Sequence, residues 1–236
     1  GKPQRLRLSR NLTRSIRRGH PWVYADALRE APTGSPGDVA LLVDKAGKVL
    51  AQGYVDPTTT LSFRVCTQGR GERADDDWAA ARLERAVRLR ERLFSDGATT
   101  GYRVVHGEGD GLPGLVCDRY GDVGVIRLDG PAAEGFWDAE GLAAWFQERL
   151  GLTCLYQRRR SRGGAKGRPL IGDAPLEPVP FTENGLSLTS DVVHGQKTGF
   201  FLDQRDNRNL IRQTAYGRVL NVFGYTGGFS VAAMAG

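Results

Sequence analysis

The chain has 236 residues, 40% of them hydrophobic and 25% charged, and a formal net charge of +6. That balance describes an ordinary soluble globular protein; no apolar run approaches the ~20 residues of a membrane span, and the Arg-rich start lacks the apolar segment of a signal peptide. The three cysteines, Cys66, Cys117 and Cys154, are far apart and odd in number, which gives neither a disulfide framework nor a metal spacing and suits small buried residues in a reducing cytosol.

Residues 2–68 read as short strands at 6–8, 22–25, 39–44, 49–54 and 61–65, with turns at 32–37, 45–47 and 56–57. Close turns between short strands predict a small β-barrel. A short helix is expected over 11–18, capped by Asn11 or Thr13. A polar linker over 68–77 ends in Asp75, Asp76 and Asp77, well placed at the start of a helix running to about Phe94. Its apolar stripe is Leu83, Ala86, Val87, Leu93 and Phe94.

Strands at 102–106, 115–118 and 123–128 follow, broken by the glycine-rich turn 107–114. Glu108, Asp110 and Asp118 match no metal loop spacing, so the turn reads as structural, and His106 and His194 lack partners at ligand spacing. A helix is expected over 136–150 and a strand over 152–157, which makes the middle an α+β unit. A basic, glycine-rich loop is expected over 158–173, then a hairpin around Asn184-Gly185 within 181–193. A helix from Asp203 to about Ala215 has Asp203 and Asp206 at capping spacing. Last come a strand over 219–223, a glycine turn over 224–228 and a helix start over 229–234, the opening unit of a nucleotide-binding α/β sheet. As the start of an unfinished parallel sheet, the segment after about 215 is expected to be disordered, swapped or covered.

Positive charge favours polyanions, and here it is clustered. Lys2, Arg5, Arg7, Arg10, Arg14, Arg17 and Arg18 all precede the first acidic residue, Asp26. A second cluster holds Arg158, Arg159, Arg160, Arg162, Lys166 and Arg168. The basic helix leading into His20, Trp22 and Tyr24 mixes phosphate-binding charge with stacking aromatics, which suits RNA. The candidate RNA contacts are Arg10, Arg14, Arg17, Arg18, His20, Trp22, Arg158, Arg159, Arg160 and Lys166.

Three ordered blocks, SRNLTRSIRRGHPWVY, VVHGEGDGLPGLVCDRYGD and GQKTGFFLDQRDNR followed by VLNVFGYTGGFS, carry a resemblance over nearly the whole chain. The sequence resembles the S-adenosylmethionine-dependent 23S ribosomal RNA 5-methylcytosine methyltransferases. The resemblance implies a multi-domain α/β protein: a PUA-type β-barrel over 1–70, a small central α+β domain over 71–176, and the start of a Rossmann-like class I methyltransferase domain over 177–236. It implies S-adenosylmethionine as cofactor, ribosomal RNA as partner and the cytoplasm as location, and leaves room for a homodimer. Its cofactor contacts would be Lys197, Phe201, Arg205, Asn221, Phe223, Tyr225, Thr226, Gly227, Gly228 and Phe229. The family's cysteine nucleophile lies in later motifs, so no catalytic residue is expected here; the chain should bind RNA, hold the cofactor weakly and not turn over. Three other readings stay open: a stand-alone RNA-binding module, a nicotinamide-dependent oxidoreductase, and a related methyltransferase with another substrate.

Overall fold

A computed structural model describes residues 3–69, 71–159 and 167–236. In chain order the elements are β1 (Gln4–Arg7), α1 (Thr13–Arg17), β2 (Trp22–Tyr24), β3 (Val39–Val43), β4 (Val49–Val55), β5 (Leu61–Gln68), α2 (Asp76–Leu93), β6 (Gly101–His106), β7 (Leu115–Tyr120), β8 (Val123–Leu128), α3 (Pro131–Phe136), α4 (Ala139–Leu150), β9 (Cys154–Arg158), β10 (Gly167–Ile171), β11 (Val179–Glu183), β12 (Leu186–Ser190), α5 (Arg205–Thr214) and α6 (Gly228–Met234). Sheet orders are β1-β3-β4-β5-β2, β10-β9-β8-β7-β6 and the hairpin β11-β12. Among the described residues no helix is long and apolar enough to cross a membrane.

The chain divides into two compact units. The first is Gly1–Leu89, Val105–Val116 and Arg127–Leu142. Its sheet is antiparallel except for the β1–β3 pair. Alternate residues bury Leu6, Leu8, Val23, Leu42, Leu50 and Phe63 with Ile16 of α1 in one apolar cluster. A second set of contacts is aromatic: Tyr54 stacks on Phe136 at 4.5 Å, and Trp78 on Trp137 at 5.8 Å. Tyr54 Oη and Trp137 Nε1 both donate to the Pro113 carbonyl at 2.9 Å. Gly37 and Gly135 let two backbones meet: a Cβ at Gly37 would lie 2.4 Å from the Gly135 carbonyl carbon.

The second unit is Arg90–Val104, Cys117–Ile126 and Ala143–Gly236. Its apolar cluster includes Tyr120, Val125, Tyr156, Phe181, Leu188 and Phe200. The hairpin turns at Asn184 and Gly185, whose φ values of 50° and 78° fit the left-handed two-residue turn. Helix α6 packs on α5 and buries Gly228 and Ala232.

Several expectations are corrected. No strand forms over 219–223: no strand pairs there among the described residues, and Leu220 and Phe223 stay 85% and 97% exposed. Residues 228–234 are helical and packed, not disordered. The single helix over 136–150 is two, because Trp137 is extended between α3 and α4. Neither Asn11 nor Thr13 caps α1, which starts after Leu12 without a side-chain cap. Asp203 does not cap α5; Gln204 precedes it. Part of the expected basic loop is strand, with Gly167 to Ile171 in β10 paired to β9.

Candidate functional site

Within the second unit, residues 197–208 and 223–229 enclose a cavity of about 330 Å³. The first segment is anchored from below. Asp118, 1% exposed, accepts from Arg103 Nε at 2.8 Å and from Thr198 Oγ1 at 2.6 Å. Thr198 Oγ1 also lies 3.0 Å from the hydroxyl of Tyr120, whose pKa burial pushes well up. That buried network fixes Thr198 and so presents Lys197, its neighbour, at the cavity. Tyr225 Oη accepts from the Gln196 amide at 2.7 Å and its ring meets Phe201 edge-on at 5.4 Å, joining the two segments.

Lys197 Nζ sits 4.3 Å from the Phe201 ring centre and 2.6 Å from Asp203 Oδ1. Burial alone would raise the Asp203 carboxyl, but the Lys197 hydrogen bond and charge outweigh it and hold it below its ordinary value. The back wall is Arg208, 3% exposed, which grips Glu183 by two 2.6 Å bonds and lies 4.6 Å over the Phe200 ring. A Cβ at Gly228 would sit 3.0 Å from Phe200 Cζ and 3.2 Å from Arg208 Cδ, so a side chain there would crowd that wall. Lys197, Phe223 and Tyr225 have left-handed φ of 54°, 61° and 48°, a strained state for such side chains.

Of the sequence-predicted cofactor residues, Lys197, Phe201, Phe223, Tyr225, Thr226, Gly228 and Phe229 line this one cavity. Three do not. Arg205 lies 4.8 Å over the Phe94 ring, Asn221 Nδ2 donates to Ser230 Oγ at 2.9 Å, and Gly227 is the N-cap of α6. The cavity is also lined by Phe200, Asp203, Gln204, Arg208 and Gly224, which were not among those candidates. Gln204 ends a short 3-10 turn and Arg208 sits on the first turn of α5, so no single periodicity joins them to Phe201.

Arg14, Arg17, Arg18 and His20 are exposed on and just after α1, while Arg10 pairs with Asp26 at 2.8 Å. Trp22 is half-buried and donates to Glu108 at 2.9 Å. Arg158 departs from the expected surface cation: it is buried and donates to the Gly195 carbonyl at 2.6 Å. Arg159 is exposed. Lys2, Arg160, Arg162 and Lys166 lie outside the described residues. All three cysteines are free and buried, and burial pushes each thiol's pKa above its ordinary value, so it disfavours the thiolate that a poised nucleophile needs.

Residues 6–68 match the PUA-like domain family, and residues 140–236 match the S-adenosylmethionine-dependent methyltransferases. In chain order, the PUA-like match precedes the S-adenosylmethionine-dependent methyltransferase match. A ribosomal RNA large subunit methyltransferase of Deinococcus radiodurans is 39% identical across 98% of this chain and 60% of that protein. Ribosomal RNA large subunit methyltransferase I of Shewanella denitrificans and of Escherichia coli are 38% and 36% identical with the same coverage. The chain therefore spans about 60% of the length of these relatives. A solved candidate SAM-dependent methyltransferase from Streptococcus mutans shares the fold, with TM-score 0.81 and 23% identity over 98% of this chain and 60% of that one. Another solved candidate methyltransferase, complexed with SAH, aligns with TM-score 0.82, the same identity and the same coverage. The cavity described above lies wholly inside the methyltransferase-family match, and α1 lies wholly inside the PUA-like match.

Proposed function

We propose that the protein is a cytoplasmic RNA methyltransferase that uses S-adenosylmethionine to methylate the 5-position of a cytosine in large-subunit ribosomal RNA. The observation that carries this reading is the cavity of the second unit, where residues of two separate motifs converge. Its donor set fits the cofactor. Lys197 is a cation for a carboxylate, Asp203 an anion for an ammonium, and the aromatic rings of Phe201, Phe223, Tyr225 and Phe229 suit a sulfonium charge. When bound, S-adenosylmethionine supplies a methyl group activated by its positive sulfur. The chain's own residues bind and orient; none of them is assigned a catalytic step. The exposed cations of α1, with His20, hold RNA phosphates. In domain terms the reading divides the chain at about residues 70 and 176.

Two measurements test it. Calorimetric titration of S-adenosylhomocysteine into the chain should show binding that Lys197→Ala weakens; no binding by wild type removes the cofactor reading. Nucleoside mass spectrometry of large-subunit RNA from cells with and without the gene should show loss of one 5-methylcytidine; loss of a different methylated nucleoside would correct the substrate.

A further inference from the structure

The first unit holds a second cavity, of about 270 Å³, whose lining includes Gly19, Gln68, Glu72, Arg82, Glu108 and Gly111. Its polar groups are not all satisfied. The Nε–H of Arg82 is buried and finds no acceptor among the described residues, although Nη2 of the same guanidinium reaches Glu72 at 2.9 Å. A buried donor without a protein partner costs stability unless a ligand or solvent atom meets it. Glu108 has the complementary gap. Trp22 Nε1 at 2.9 Å and Arg64 Nη1 at 2.6 Å both donate to Oε1, and Oε2 takes no bond among the described residues. The cavity therefore offers an open donor and an open acceptor.

Its interior has no spare cation. Arg82 is matched by Glu72, and Arg64 is shared between Glu108 and Asp129. A site of this kind would leave a phosphate uncompensated but suits a neutral polar group that both donates and accepts. The mouth is different. Gly19 lines the cavity, and beside it in sequence stand Arg17, Arg18 and His20, all exposed. A polar interior without a spare cation and a cationic mouth suit the two halves of a nucleotide, base and phosphate.

We propose that this cavity takes one splayed-out nucleobase of a single-stranded RNA, with the flanking phosphates on Arg17, Arg18 and His20. The open Arg82 donor and Glu108 acceptor read the base edge, and the site chooses among bases as well as between stacked and unstacked ones. The assignment rests on the RNA-binding reading above and adds to it a specific subsite in the first unit.

The test uses the whole chain and a fluorescein-labelled single-stranded RNA of about 12 nucleotides, together with a series in which one position at a time is abasic. Anisotropy titrations should show one position where base removal costs about tenfold in affinity. Arg82→Lys keeps the charge and loses the Nε donor. It should weaken binding to intact RNA by a similar factor and add nothing further on the abasic strand, as expected of two changes in one contact. Gln68→Ala, at an exposed strand end, should show the same coupling in smaller measure and carries the test if Arg82→Lys melts early by circular dichroism. Arg17→Ala and Arg18→Ala should instead weaken both strands equally and each lower the salt slope by about 1. Equal binding of all abasic strands, with the Arg17 and Arg18 effects intact, overturns the subsite and leaves RNA binding standing. No binding of any strand at low salt overturns both readings. Displacement of the RNA by free nucleoside monophosphates at equal concentration overturns the assignment to a strand.

Discussion

Arg208 and Glu183 meet through two parallel 2.6 Å hydrogen bonds, with their side chains only 4% and 3% exposed. An ion pair so far from water is held by its own geometry, and removing one partner leaves a buried charge uncompensated. Arg208→Ala is therefore expected to destabilise the second unit by about 3–5 kcal/mol, read as a lower urea midpoint. The double change Arg208→Met with Glu183→Met should cost much less. If the single and double variants lose equally, packing rather than charge pairing is what the pair supplies.

The Lys197–Asp203 pair is half in solvent and its contribution is modest. Its sign is nevertheless fixed. The Asp203 carboxyl titrates below its ordinary value in the fold, so its stabilisation is complete above the ordinary carboxylate range and is lost as pH falls through the lowered value. Asp203→Asn should lower Tm by about 1–3 °C near neutrality. The gap to wild type should close as the solution is acidified past the carboxylate range. A gap that widens on acidification would contradict the assignment.

Affinity for S-adenosylhomocysteine separates neighbours in one motif. Lys197→Ala and Phe201→Ala remove parts of the cavity wall and should each weaken binding about tenfold. Arg205→Ala, only a few residues on, removes a cation that lies on Phe94 instead, and should change affinity less than about twofold. Calorimetry on the three variants is enough to decide.

Arg17 and Arg158 were both expected to be RNA contacts, and the structure gives them different surroundings. Arg17→Ala should reduce the salt dependence of RNA binding and leave Tm unchanged. Arg158→Ala removes a buried donor from the Gly195 carbonyl, so it should lower Tm by several degrees and leave the salt slope unchanged.

What the sequence made legible was local. The Asn184-Gly185 turn was visible because its chemistry sits in two residues that tolerate left-handed backbone. The start of α2 was visible because Asp75 Oδ1 accepts from the Trp78 amide within one turn. What was not legible depends on residues distant in sequence. Trp137 breaks the helix expected over 136–150, with its indole donating to Pro113, 24 positions earlier. The apolar run 219–223 has the composition of a strand, but a strand is a relation to a neighbour. The cavity itself was half visible: motif resemblance found Lys197, Phe201 and Tyr225, while Arg208 needed its buried partner Glu183 to be seen as wall rather than surface.

The left-handed backbone at Lys197, Phe223 and Tyr225 has a consequence for any effort to harden this protein. Glycine at Phe223 would relieve a strain of order 1 kcal/mol, partly offset by the greater freedom it gives the unfolded chain. Tyr225 offsets its strain through the Gln196 bond and the Phe201 contact, whereas Phe223 is 97% exposed, so a selection for heat tolerance alone would be drawn to Phe223 at the cavity rim. Stability and ligand retention pull in opposite directions at this position, and Phe223→Gly should melt no earlier than wild type while holding S-adenosylhomocysteine more weakly.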